Sequence, residues 1–216
     1  METFLFVCGV AGMIMGSVMA ISQRDIRRMI AYSSVAQIGM VYLALGIGSQ
    51  AAAAAAVFQM LSHSAAKSLL FLSTYDLVSV SGDRKRFHYL HGAGYRSVVG
   101  GVVFTVGAMS LVGIPLTGGF IAKLNVAIAG MPLGGWMRAL VLVSLTISTL
   151  LNAVYLLHTV VSIYRQPPQD LTYPPAPRMP RHVAVALVLS MLLTVYLGVS
   201  SGSIMQLIET GLNMFA

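Results

Sequence analysis

Continuous apolar runs of about 20 residues or more recur along this chain, and a helix of that length crosses the roughly 30 Å hydrocarbon core of a bilayer. Inside lipid every backbone N–H and C=O must find its partner within the protein, so a spanning segment is a helix or a strand of a closed barrel. The runs are rich in Leu, Ala, Met and Gly and lack the apolar/polar alternation of a lipid-facing strand, which selects helices. Of 216 residues, 57% are hydrophobic and only 9% are charged, more apolar surface than a water-soluble domain of this size can hide. The expected fold class is an all-α membrane protein.

About six transmembrane helices follow, over approximately residues 4–22, 29–48, 51–80, 97–130, 137–162 and 182–200. The fourth is too long for one straight crossing and contains Gly113, Ile114 and Pro115, followed by Gly118 and Gly119. Proline removes a backbone donor and glycine tolerates unusual dihedrals, so this span is predicted to be discontinuous, with two half-helices around a break. The opening segment carries Glu2 where a signal peptide has a basic region, and is read as a retained helix. Residues 166–177 are proline-rich and predict an extended connector. Residues 201–216 predict a short C-terminal interfacial segment, with helical spacing from Ile204 to Phe215 around Glu209.

The charges test this span count. With six spans the loops at 23–28, 81–96 and 163–181 share one side. They hold ten basic residues, Arg24, Arg27, Arg28, Arg84, Lys85, Arg86, Arg96, Arg165, Arg178 and Arg181, against Arg138 alone on the other side. Positive charge accumulates on the cytoplasmic side, so both termini are expected to be non-cytoplasmic. The net charge of +7 is thus a matter of topology, and no patch suggests a nucleic-acid partner. The single cysteine, Cys8, lies in an apolar run, which excludes a disulfide framework and a cysteine-ligated redox group. His88, His91, His158 and His182 are placed in or near loops with no metal-ligand spacing, so no cofactor and no metal are expected in this chain.

The two remaining basic residues, Lys67 and Lys123, fall inside spans. Lys123 follows the glycine pair beside the predicted break, where an ammonium costs several kcal/mol unless it is paired, hydrated or neutral. A lysine that snorkels to the headgroups is the structural alternative, but its stem would have to reach too far. His63 and Lys67 are spaced i, i+4 on one helix face, with Gln59 one turn earlier on the same stripe. Stacked polar groups of this kind can organise water and pass protons, and histidine suits the task; holding helices together is the alternative. Tyr32, Ser33, Ser34 and Gln37 add polar groups to the second span, Ser33 and Gln37 again at i, i+4, where packing is the default role. Gly9, Gly12 and Gly16 and the alanines from Ala51 to Ala56 are assigned to close helix packing.

Three motifs occur in order: Gln23-Arg-Asp-Ile-Arg-Arg-Met-Ile-Ala-Tyr-Ser-Ser34; His63-x-x-x-Lys67-Ser-Leu-Leu-Phe71; and Gly113-Ile-Pro-Leu-Thr-Gly-Gly-Phe-Ile-Ala-Lys123. The series resembles the proton-conducting membrane transporter family, which comprises antiporter-like subunits of respiratory complex I (the subunit 2, 4 and 5 types), of membrane-bound hydrogenases and of Mrp-type sodium/proton antiporters (the A and D types). The resemblance covers about residues 1–165. It implies a fold with two inverted repeats, each with a broken helix, of which this chain has the second repeat plus the final helix. It further implies that Lys123 is the lysine of the broken helix and that His63 and Lys67 are the polar pair on the helix before it. A lysine at position 123 is most similar to the complex I subunit 2 or Mrp D type. The family's first-repeat glutamate and lysine have no counterpart, and a lysine often seen at position 27 is Arg27, which cannot give up its proton.

The function expected is that of a proton-translocating antiporter-like subunit, or half-subunit, of a complex I-like NADH:quinone oxidoreductase or a related redox-driven complex such as a membrane-bound hydrogenase, in a bacterial cell membrane or organelle inner membrane. The chain itself has no catalytic redox site. The proton path is assigned to Lys123, Lys67 and His63, with Gln59, Tyr32, Ser33 and Gln37 in support, and the break to Gly113, Pro115, Gly118 and Gly119. Expected partners are other membrane subunits, among them a chain supplying the first repeat, and the lipid bilayer. A subunit of a Mrp-type sodium/proton antiporter and a non-conducting membrane-arm scaffold are the alternatives.

Overall fold

The computed structural model describes residues 2–168, 173 and 179–214. The order is α1 (Glu2–Ile21), α2 (Ile26–Gly46), α3 (Gln50–Ser79), a 3-10 turn (Phe87–Leu90), α4 (Ala93–Arg96), α5 (Val98–Val112), α6 (Gly118–Gly130), α7 (Gly135–Tyr164), α8 (Arg181–Val199) and α9 (Ser201–Asn213). Local chemistry sets several starts. The Asp25 carboxylate accepts the N–H groups of Arg27 (2.8 Å) and Arg28 (3.4 Å) at α2, Ser49 accepts that of Ala52 (3.2 Å) at α3, and Ser97 that of Gly100 (3.2 Å) at α5.

By length and apolar character alone, α1, α2, α7 and α8 are able to cross a membrane, and the 87–96 segment with α5, bent by 114°, would make a fifth. That falls short of the expected six, for a physical reason. Helix α3 is packed by α2, α5, α6, α8 and α9, so it can bury Gln59, Ser62, Lys67, Ser73, Thr74 and Asp76 against protein, and its apolar character is diluted. Helices α5 and α6, of 15 and 13 residues, are each too short alone. The loop expected at 81–96 contains the 3-10 turn and α4, and His158, assigned to the vicinity of a loop, lies within α7. Most of the proline-rich connector lies outside the described residues, as do residues 215–216; α9 buries none of its side chains.

Two ends of the bundle can be told apart by their contacts. An antiparallel bridge joins Asp25 to Arg86, through Ile26 N–H to Lys85 O (3.1 Å) and Phe87 N–H to Arg24 O (3.4 Å). Arg96 ties the same end together, donating to the carbonyls of Val80 (3.0 Å) and His91 (3.1 Å) and to Ser81 Oγ (3.1 Å). Tyr95 stacks edge-on against Tyr164 at 5.5 Å, so the end of α7 joins this cluster. Part-buried His91 is held below the ordinary histidine range, first by burial and then by His88, Arg165 and His158. At the opposite end the Gln50 amide donates to Asn213 of α9, and Gly48 lies against the Glu2 carboxyl. The arginine-rich loops therefore share one end.

The core has two main parts. Ile26, Ile30, Leu70, Leu77, Phe104 and Leu156 fill the space between α2, α3, α5 and α7, and Phe6, Met13, Met40, Leu43, Val126 and Val141 that between α1, α2, α6 and α7. Helices α1 and α2 meet backbone to backbone along Gly9, Gly12, Gly16 and Gly39, where any Cβ would strike the facing main chain or press on it.

Candidate functional site

The site starts from the way α5 stops. Gly113, at φ 90°, donates to the carbonyls of Met109 and Ser110 (both 3.0 Å), and Ile114 N–H reaches back to Met109 O (3.0 Å), a Schellman-type end. Pro115 cannot continue the helix, and Leu116 takes a left-handed φ of 74°, a conformation that costs a non-glycine residue about 1 kcal/mol or more. The helix resumes at Gly118. Gly119, in the first turn of α6, lies against the Ser110 carbonyl, and Gly118 against Ser62 of α3 and Leu197 of α8. Gly198 of α8 closes on the Leu116 carbonyl.

This ending leaves the carbonyls of Leu111 and Val112 without backbone partners, as at any helix C-terminus. Lys123, just over one turn into α6, folds back and donates from Nζ to both, at 3.0 and 2.7 Å. The negative end of the α5 dipole faces the ammonium. Beside it runs a groove of about 320 Å³ between α6 and α7, lined by Phe120, Leu124, Leu142, Thr146 and Thr149 as well as Lys123 itself.

Lys67 is buried, 7% exposed, on the side of α3 that faces α2. Its Nζ donates to Ile30 O and to Ser33 Oγ (2.6 Å) and stands 5.8 Å from the centre of the Phe71 ring. Ser33 and Ser34 bond the same Ile30 carbonyl, so α2 concentrates polar groups there. Two turns away on α3, Gln59 donates to Gln37 Oε1 (2.9 Å), again across the α2–α3 seam. His63 lies between them, part-buried, with no partner for Nδ1 among the described residues. Tyr32 lies apart from this seam, lining a cavity with Gln23, Arg28, Ala31 and Val35. Lys123 forms no hydrogen bond to His63 or Lys67; its partners belong to α5 alone.

Four buried polar residues form hydrogen bonds inside the bundle that the sequence reading did not single out. Asn152 and Tyr155 of α7 and Ser17 of α1 form a buried cluster in which Asn152 Oδ1 accepts from Tyr155 (2.7 Å) and Ser17 (3.2 Å). Asp76, buried near the end of α3, accepts from Ser97, which also caps α5. A signal existed for Asp76, an acidic side chain that falls within the last turn or so of the third predicted span. Asn152 and Tyr155 fall on a buried polar stripe of α7, with Ser144, Ser148, Thr159 and Ser162 at steps of three and four residues, which is a signal in the sequence; Ser17 lies on a helix with no such stripe.

The Gln59–Gln37 pair allows a measurable expectation. Gln59→Ala leaves the buried Gln37 carbonyl unpaired, so it lowers stability by about 1–2 kcal/mol. Thermal unfolding in detergent shows the shift, while transport per assembled complex stays close to that of the unmodified chain.

Residues 1–151 match the model of the NADH:quinone oxidoreductase/Mrp antiporter transmembrane family. The NADH-quinone oxidoreductase subunit N of Desulforudis audaxviator is 36% identical over 154 residues, 71% of this chain and 30% of that protein. Subunit N 1 of the same enzyme from Solibacter usitatus is 32% identical over 213 residues, 95% of this chain and 41% of its own length. Among solved structures, a chain of the Mrp complex from Dietzia sp. superposes with a TM-score of 0.83 over 97% of this chain and 47% of that one; at 22% identity this speaks for the fold alone. A chain of respiratory complex I from Thermus thermophilus has a TM-score of 0.70 at 25% identity, over 95% of this chain and 45% of that one. The chain thus spans less than half the length of each of these relatives. With the motifs, the broken helix and these likenesses together, the chain belongs to the NADH:quinone oxidoreductase/Mrp antiporter family, as a multi-pass membrane protein with part of the antiporter-like fold.

Proposed function

We propose that this chain is a proton-translocating part of an antiporter-like subunit in a complex I-like NADH:quinone oxidoreductase. Lys123 and Lys67, with His63 beside Lys67, exchange protons through a hydrated midplane. One observation carries the proposal: among the described residues, two inward-set ammonium groups on different helices are hydrogen-bonded only by neutral oxygens, Leu111 and Val112 carbonyls for Lys123, Ile30 carbonyl and Ser33 hydroxyl for Lys67. A lysine held by neutral oxygens can part with its proton without breaking an ion pair. Curated relatives named as NADH-quinone oxidoreductase subunits favour a redox-driven complex over a gradient-driven exchanger.

In this reading the chain makes six crossings, with α3 as the third and α5 with α6 as the fourth, and corresponds to the second inverted repeat and final helix of the family fold. The arginine-rich end is cytoplasmic, α9 lies at the opposite interface, and other membrane subunits, one supplying the first repeat, complete the path. Sidedness has its own test. Gly82→Cys in a Cys8→Ser background is expected to react with an impermeant thiol reagent only in inside-out vesicles; reaction in sealed cells would reverse the topology.

The function is tested with the complex that co-purifies with this chain, reconstituted in vesicles. Lys67→Met is expected to lower proton transport at least fivefold per assembled complex, and the co-purifying subunits are expected to be those of a quinone reductase. Small antiporter subunits in their place would favour ion exchange, and undiminished transport a scaffold.

A further inference from the structure

The basic residues of the first motif, Arg24, Arg27 and Arg28, take no part in the proposed proton path. Two of them, with Arg86 brought alongside by the antiparallel bridge to Asp25, line a polar cavity of about 250 Å³ at the arginine-rich end. Gln23 and Asp25 complete its lining. Three guanidinium groups thus face one carboxylate, and Asp25 Oδ1 already accepts the backbone N–H groups of Arg27 and Arg28. That excess of positive charge favours an anion, and the fork of an arginine matches the oxygens of a phosphate. The cavity also lies at the start of α2, where the helix dipole is positive.

This cavity opens into a groove down the outer face of α1 and α2. Gln23 and Arg28 also border a second cavity, of about 400 Å³, with Tyr32 and Val35, and Val35 borders a third, of about 350 Å³, with Gly12, Ile38, Gly39 and Tyr42. The residues from α2 follow one another at steps of three and four, so they form a single stripe along that helix. Gly12 and Gly39 leave the floor bare: a Cβ on Gly12 would come within 3.3 Å of Gly39 Cα, so the two helices approach closely while neither glycine fills the space above them. Val35, Ile38 and Tyr42 stand exposed along the wall. From Arg28 to Tyr42 the stripe runs about 21 Å at roughly 1.5 Å per residue, enough to pass from headgroup level through one leaflet of about 15 Å of hydrocarbon.

Accepting the arginine-rich end as the one at a membrane surface, as proposed above, we infer that Arg24, Arg28 and Arg86 hold the phosphate of an anionic phospholipid, one acyl chain of which lies in the groove between α1 and α2. A free anion would have no use for the apolar groove, and an uncharged apolar molecule none for the arginines; an anionic phospholipid matches both. Because Arg86 comes from the loop after α3 and the other two arginines from the loop before α2, the same phosphate ties together the two loops that the Asp25–Arg86 bridge joins.

The test uses the complex that co-purifies with this chain, in phosphatidylcholine vesicles holding a trace of phosphatidylglycerol with a photoactivatable diazirine midway along one acyl chain. Illumination is expected to label α2 between Ala31 and Tyr42 at least fivefold more than a phosphatidylcholine with the same chain does. Arg28→Gln together with Arg86→Gln is expected to lower that labelling at least fivefold. Arg84→Gln together with Lys85→Gln removes the same charge from the same end outside the cavity, and leaves it unchanged. Val35→Trp keeps every arginine but fills the groove, and is expected to reduce labelling as far as the arginine pair does; a merely diffuse attraction between basic loops and acidic lipid would not respond to it. All the altered side chains are exposed, so folding is not at stake. Inorganic phosphate at millimolar concentration is expected not to compete. Equal labelling by the two lipids, undiminished labelling in either the arginine pair or Val35→Trp, displacement by inorganic phosphate, or a cross-link found on another subunit in place of α2 would each overturn the lipid site, the last because a partner helix then covers the groove. Labelling is read without transport, so its failure leaves the conducting role standing.

Discussion

Replacing Lys123 by methionine is expected to cut proton transport at least tenfold while leaving the amount of assembled complex nearly unchanged. Methionine keeps an unbranched stem of similar length in the groove between α6 and α7, but it cannot titrate. Two stability effects oppose each other. The Leu111 and Val112 carbonyls lose their donor, at about 1–3 kcal/mol for each group left without water. Against that, a deeply set ammonium no longer has to be desolvated, a penalty of several kcal/mol. Lys123→Arg sharpens the result, because it retains the positive charge at the end of α5 yet cannot release its proton. Transport measured in reconstituted vesicles at equal complex is expected to be lost in both variants. Full transport in the arginine variant would show that a fixed charge suffices and that Lys123 does not exchange protons.

Gly119→Ala is expected to be the most damaging small substitution at the break, at about 3 kcal/mol or more. A Cβ at this position would overlap the carbonyl of Ser110, a main-chain atom of α5 that cannot swing away as a side chain would. The added methyl must push α6 off α5, and that displaces Lys123 from the two carbonyls it holds. Stability and transport should therefore fall together, unlike in Lys123→Met, where transport falls alone. The midpoint of thermal unfolding in detergent, read beside transport, distinguishes these patterns. Gly134→Ala serves as the control, since a Cβ there meets nothing within 4 Å. Equal midpoints for Gly119→Ala and the unmodified chain would mean that the half-helices are not pressed together at Ser110.

Much of this architecture was legible along the chain, because membranes impose one-dimensional rules. A backbone in lipid must form helices, and apolar length therefore marked where most helices lie, within a few residues of their observed ends. Gly113 and Pro115 announced the interruption because their backbone chemistry is local: one accepts the left-handed turn and the other lacks a donor. The depth of Lys67 and Lys123 could be counted in residues from the span ends. The grouping of arginines into three loops required only that consecutive spans alternate in direction, and the Asp25–Arg86 bridge brings two of those loops together. The length-and-apolarity rule fell short at α3, since a helix surrounded by other helices is not obliged to be apolar.

What meets across the bundle was not legible. Nothing in the spacing of Lys67 told that Ser33 and the Ile30 carbonyl would receive it, or that Gln59 would find Gln37, because helix rotation and register are set by packing of side chains far apart in sequence. Helix α7 carries a polar stripe from Ser144 to Ser162, yet its spacing did not tell that Asn152 would accept from Ser17 of α1, or that His158 would stand over a cavity built from three separate segments. Tyr32, grouped with Ser33 by sequence, points to a different cavity, because adjacent helical positions diverge by about 100° around the axis. The membrane class, the helical segments, the position of the break and the presence of two lysines within helices could be read along the chain, because they follow from local backbone chemistry and solvation. Which carbonyls hold each ammonium, and that the Ser33 hydroxyl receives Lys67, came from the packed fold, because those contacts depend on how whole helices rotate and pack.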